Sequence, residues 1–214
     1  MTEAEWLACD DPRQMLRSLG DTASDRKRRL FAAESFRNFA HLLPNVRQRR
    51  AIEMLEEIAE GTATLEARRE ATQGAHRAFP PSTLGQHIVG DDPYYVALML
   101  FRALTSSSAD GHAISAASGL ADEAAGYRWQ SCLLRELFGN PFRPVAVDPA
   151  WRTSTVLALA GGIYEERAFD RMPILADALQ DAGCDHDDLL GHLRDTTATH
   201  VRGCWALDLV LGKE

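Results

Sequence analysis

The sequence predicts an all-α protein, an irregular multi-helix bundle of roughly eight to ten helices. Three observations lead there. Apolar residues recur at three- and four-residue spacing along most of the chain, the repeat of one face of an α-helix. Helix-start devices precede those runs: Thr2 with Glu5, Asp11-Pro12, Asp92-Pro93 and Asp148-Pro149. Glycines close them, at Gly20, Gly61, Gly139, Gly183 and Gly212.

The chain of 214 residues is long enough to bury a substantial core and is expected to form a single helical domain, with a possible internal boundary in the loop 80–92. A net charge of -8 argues against nucleic acid and anionic membranes as partners. The excess acid lies entirely beyond residue 80, because residues 1–80 carry 13 basic and 13 acidic side chains. There is no apolar run of membrane-spanning length and no basic segment leading into an apolar one at the N-terminus, so the expected location is cytoplasmic. Cys9, Cys132, Cys184 and Cys204 are widely spaced with no CxxC pair, which favours reduced thiols over a disulfide framework.

In chain order, two short helices run through Trp6 and through Met15, Leu16 and Leu19. A longer one follows from Ser24 to Leu43, opening with the basic run Arg26 to Arg29, which reads as a solvated face balanced by Asp21, Asp25 and Glu34. Helices over about 46–60 and 65–79 come next, then a loop rich in proline and glycine to Asp92. Tyr94 to Leu104 is the longest apolar run and reads as a buried helix. Ser106 to Gly119 is small and polar, open to either a loop or a loosely packed helix. The helical repeat resumes from Ala121 to Phe138.

Beyond it, Pro141 and Pro144 stiffen a connector, and Asp148-Pro149 opens a helix with Val156, Leu159, Ala160, Ile163 and Tyr164 on one face. Close helix packing is the expected reason for Gly161-Gly162 within it. Asp170 caps the next helix, with Pro173 in its first turn and Gly183 as its stop. Asp187 and Asp188 then start a helix carrying Leu189, Leu190 and Leu193. A last helix from about His200 is apolar nearly all round and belongs in the core, where Asp208 needs a partner.

Several stretches carry a likeness to a known group: MTEAEWLACDDP at the start, ASDRKRRLFA at 23–32, CLLRELFGNPFRPV at 132–145, and DPAW, ERAFDRMPILADALQDAGC and HVRGCWALDLVLGKE toward the end. Together they resemble a family of uncharacterised paralogous proteins from planctomycete bacteria. The resemblance covers both ends and much of the C-terminal half, and implies a shared scaffold with no established activity. Members of that family carry a cysteine-rich run where this chain has Ala33, Ser35 and Phe36, and His-Cys-Arg where it has His192-Leu193-Arg194. Those departures count against carrying any thiolate-rich metal site of the relatives over to this chain.

Chemistry-bearing residues gather only near the C-terminus, at Cys184, His186, His192, His200 and Cys204. His200 and Cys204 stand four apart, so one helix would project both from one face, with Cys184 and His192 brought up by the preceding turn. His192, His200, Cys204 and Cys184 are thus candidate metal ligands, and zinc accepts such a Cys2His2 set. The spacing matches no standard zinc finger, and the apolar neighbours Trp205 and Leu207 favour Cys204 as an ordinary buried residue. A Cys204 nucleophile assisted by His200 lacks an orienting group. Glu165, Glu166 and Asp170 read as surface charge and capping beside Arg167 and Arg171. The expected function is a non-catalytic protein-interaction or scaffold module, through a protein partner or self-association; the alternative is a metal-binding protein or metal-dependent enzyme built on the His/Cys cluster.

Overall fold

The computed structural model describes residues 1–43, 45–77, 93–105, 108–117 and 122–213. Among these residues there are twelve α-helices and no strand. The number is slightly above the expected eight to ten. Among the described residues no helix is long and apolar enough to cross a membrane. By their internal contacts the residues fall into two compact units, one comprising Glu3–Leu134 and the other Arg135–Glu214. The loop 80–92 lies outside the described residues.

The first unit holds α1 (Glu3–Ala8), α2 (Pro12–Leu19), α3 (Asp25–Asn38), α4 (Val46–Ala59), α5 (Leu65–Arg77), α6 (Pro93–Thr105), α7 (Ala109–Ala117) and most of α8 (Glu123–Phe138). Asp11 caps α2 by accepting the Arg13 N–H at 2.9 Å, and Ser24 caps α3 through Lys27 N–H. Helix α3 packs on α4 and α7, and α4 on α5 and α6, around Trp6, Phe31, Phe36, Phe39, Met54, Leu55, Leu100 and Leu104. Helix α7 resolves the small, polar stretch after Thr105: Ala109, Ala113, Ala116 and Ala117 are buried, because small side chains let α6 and α3 approach it.

The basic run at the start of α3 is not a solvated face. Lys27 and Arg29 are buried, Arg26 pairs with Glu60 at 2.9 Å, and Arg28 with the buried Asp110 at 2.5 Å. Arg28 also donates to the carbonyls of Ala23 and Gly20. These arginines tie α3 to partners distant in sequence, so they are structural cross-links within this unit.

The second unit takes the last residues of α8, then α9 (Ser154–Glu166), α10 (Met172–Asp181), α11 (Asp187–Arg194) and α12 (Trp205–Leu211). Helix α9 packs on α10 and α12, and α11 on α10 and α12. Val156, Ile163, Met172, Leu175, Leu179, Leu189, Leu193, Leu207 and Val210 form its core. Two helix starts differ from expectation. Asp148-Pro149 opens only a short 3₁₀ turn, and α9 begins at Ser154, where Thr153 Oγ1 accepts the Val156 N–H. Asp170 lies within another 3₁₀ turn, so α10 starts at Met172 without a side-chain cap. A Cβ on Gly161 or Gly162 would meet nothing within 4 Å, so close helix packing does not account for either glycine, and nothing in the structure explains them.

Candidate metal centre

Three segments of the second unit converge. The first is the end of α8, where Glu136 sits in the last turn and Gly139 closes the helix at φ +63° with its N–H on the Arg135 carbonyl. The second is α11, held inward by Leu189, Leu190 and Leu193, with His192 in its last turn. The third is the connection from α11 to α12. Asp195 folds its beginning by accepting both the N–H and the hydroxyl of Thr197. Its end is a tight turn in which Cys204 N–H donates to Val201 O at 3.0 Å and Gly203 takes φ +89°.

That turn corrects the expected geometry. His200 and Cys204 are not one helical turn apart on a single face, because α12 begins only at Trp205 and the positive φ of Gly203 reverses the chain before it. The reversal still brings both side chains to the same place. Arg202 steadies the turn from outside by donating to the carbonyls of Tyr164 and Glu165 at 3.0 and 3.2 Å, at the C-terminal end of α9.

One ligand atom from each of Glu136, His192, His200 and Cys204 lies within 4.8 Å of the other three. His192 Nε2 is 3.2 Å from Cys204 Sγ and 3.3 Å from Glu136 Oε2, and His200 Nδ1 is 3.2 Å from Glu136 Oε1. A tetrahedral zinc ion with ligand distances of ~2.0–2.3 Å would set its donors about 3.3–3.6 Å apart, so these three separations fall within a few tenths of an ångström of a zinc shell, one of them through each Glu136 oxygen. The site is enclosed: Cys204 is wholly buried, Glu136 nearly so, and the most open member, His192, exposes 19% of its side chain. The ring of His192 also lies 5.1 Å from the indole of Trp205.

The electrostatics follow from enclosure. Burial works to raise the pKa of Glu136, but hydrogen bonds from His192 and His200 and their positive charge outweigh it and hold the carboxyl below its ordinary range. For His200, burial works downward, and the hydrogen bond and charge of Glu136 overcome it, so the ring is raised above its ordinary value. Burial first, and then the Glu136 carboxylate, push the Cys204 thiol well above its usual range, against the helix-start amides of Leu207 and Ala206. A thiol so placed is a poor nucleophile, whereas a bound divalent cation would reverse the balance and take it as thiolate.

Of the four ligands expected from sequence, His192, His200 and Cys204 come together and Cys184 does not. Cys184 is buried in the apolar core of the second unit, where its N–H continues the end of α10 by donating to Leu179 O at 2.9 Å. His186 stands at the start of α11, outside the cluster. Glu166 is an exposed partner of Arg171. The residue that sequence reasoning missed is Glu136. Its signal was local and negative: a carboxylate in the last turn of a helix opposes the helix dipole and needs some other reason to be there. Compared with known proteins, the chain matches no family model, and no curated protein or solved structure is significantly similar to it.

Proposed function

We propose that the chain is a zinc-binding helical protein whose ion is structural, within a module that works through its surface, as a protein-interaction or scaffold unit, and not through catalysis. The observation that carries this reading is the convergence of four donors of zinc type, two half-buried imidazoles, one buried thiol and one buried carboxylate, all within 4.8 Å of one another and with three of their separations at 3.2–3.3 Å. Four protein ligands fill such a shell. A catalytic zinc keeps a position open for water or substrate, and the enclosure of Cys204 and Glu136 leaves little room for either.

Elemental analysis of purified protein tests the reading. One zinc per chain is expected, falling to none in Cys204→Ala and in His192→Ala. Cobalt substituted at the site should show thiolate-to-cobalt charge-transfer absorption that Cys204→Ala abolishes. Protein that carries no stoichiometric metal and takes up none from added zinc or cobalt overturns it.

A further inference from the structure

We propose that Glu136 is the residue that sets which class of ion the site accepts: its carboxylate and the Cys204 thiolate together neutralise a divalent cation, and its full ligation keeps the site from behaving as a His2Cys copper centre. This rests on the zinc reading above and deepens it. Two imidazoles and a thiolate are by themselves the equatorial set of a trigonal copper site, in which the fourth ligand is weak and distant. In this chain the fourth group is neither. Glu136 Oε2 stands 3.3 Å from His192 Nε2 and Oε1 stands 3.2 Å from His200 Nδ1, as close as His192 is to Cys204. Val201 N–H donates to Oε1 at 3.4 Å and fixes the carboxylate from the backbone.

Charge makes the same argument. The carboxylate is almost fully enclosed and the thiol entirely so, and an enclosed site tolerates net charge badly. A divalent ion with Glu136 and Cys204 ionised leaves none. A monovalent copper ion would leave one negative charge, and replacing Glu136 by a neutral side chain would leave one positive charge around zinc but none around copper(I). Arg202, two residues from both His200 and Cys204, directs its Nη2 to the carbonyls that end α9.

The test compares zinc with copper(I), kept reduced by ascorbate, in wild type, Glu136→Gln and Glu136→Asp, all in a Cys9→Ser, Cys132→Ser background so that no other partly open thiol binds copper. Wild type should bind one zinc per chain. Glu136→Gln should lose zinc affinity by about 10–100-fold while copper(I) affinity holds or rises, so the zinc-to-copper ratio falls at least as far; Glu136→Asp, with its charge intact, should stay near the wild-type ratio. An unchanged ratio in Glu136→Gln, or equal shifts in the Gln and Asp variants, overturns the inference while leaving the zinc site standing. Absence of zinc binding in wild type overturns the underlying reading instead. If Glu136→Gln does not keep its helical circular dichroism, wild type loaded with copper(II) decides: an intense visible thiolate-to-copper band, the mark of a weak fourth ligand, overturns the inference, and its absence supports it.

Discussion

The indole of Trp205 occupies the space that a side chain on Gly139 would need: a Cβ there would stand 3.0 Å from both Cδ2 and Cγ of Trp205. Gly139 also holds φ +63°, which L side chains adopt at a cost of roughly 1–2 kcal/mol. The two constraints act on one residue, three after Glu136 and packed against the residue following Cys204. Gly139→Ala is therefore expected to destabilise the second unit by about 2–3 kcal/mol, combining backbone strain with displacement of the indole. Denaturant titration followed by tryptophan emission reads the loss, and zinc affinity should fall with it, since Trp205 also packs on His192. An unchanged midpoint would mean that the contact is not held in solution.

Cys184 and Cys204 were both candidate ligands by sequence, and the structure separates them. Cys184→Ser should leave zinc stoichiometry and affinity unchanged and cost about 1–2 kcal/mol for placing a hydroxyl in an apolar core. Cys204→Ser should lower zinc affinity severely. Equal losses of zinc in the two variants would contradict the placement of Cys184.

What the sequence made legible was what local chemistry writes. Caps such as Asp11 and Ser24, and the glycine stops at Gly139, Gly183 and Gly212, are each decided within a few residues. The elements misread are those where two local devices compete or where the partner is far away. Asp148-Pro149 and Thr153 both offer a helix start, and the second takes α9. Val201 to Cys204 carries the apolar spacing of a helix, yet Gly203 turns it. Arg26 and Arg28 looked solvated because their partners, Glu60 and Asp110, lie 34 and 82 residues away. The same distance hid Glu136, which meets His200 only across 64 residues of chain.

The pair Glu136–His200 gives the metal-free protein a pH dependence of defined sign. Glu136 has its pKa depressed by folding, so its contribution is present above the unfolded value of about 4.3 and is lost as pH falls through the folded one. His200 has its pKa raised, so its contribution is full below about 6.5 and is lost as pH rises through the folded value. Metal-free protein should therefore be most stabilised by this pair between about pH 4.5 and 6.5. Zinc requires deprotonated ligands, so its affinity rises with pH. The difference in Tm between zinc-loaded and EDTA-treated protein should widen from about pH 6 to pH 8. A constant difference across that range would exclude His200, whose raised pKa makes it release its proton on binding, as a ligand.

Arg202 acts on the site from outside it. Its guanidinium holds two carbonyls at the end of α9 and lies 5.1 Å from the Tyr164 ring. Arg202→Ala should cost about 1–2 kcal/mol, a value held low because the contacts are partly open to solvent. It should also speed zinc release, because the turn carrying His200 and Cys204 loses its anchor. Lysine at the position keeps the charge but not the fork and should recover only part of the loss. Zinc transfer to a chelator, followed in time, separates this effect from a change in ligand chemistry, which would also alter the cobalt spectrum.

In the first unit, Arg28 and Asp110 test whether the basic run of α3 is structural. Asp110 is buried and Arg28 covers it at 2.5 Å, while the remaining donors of Arg28 satisfy the carbonyls of Ala23 and Gly20. Arg28→Ala removes the partner and leaves a buried carboxylate and two carbonyls to find water, at an expected cost of about 3–4 kcal/mol. Asp110→Asn keeps the shape and an acceptor and should cost less. Replacing both, as Arg28→Met with Asp110→Leu, should cost less than Arg28→Ala alone, because no enclosed charge is left without a partner. A double-mutant cycle by urea denaturation reads the coupling directly. If the single and double variants lie within about 0.5 kcal/mol of wild type, the pair contributes nothing measurable and the arginine run has some use other than holding α3 in place.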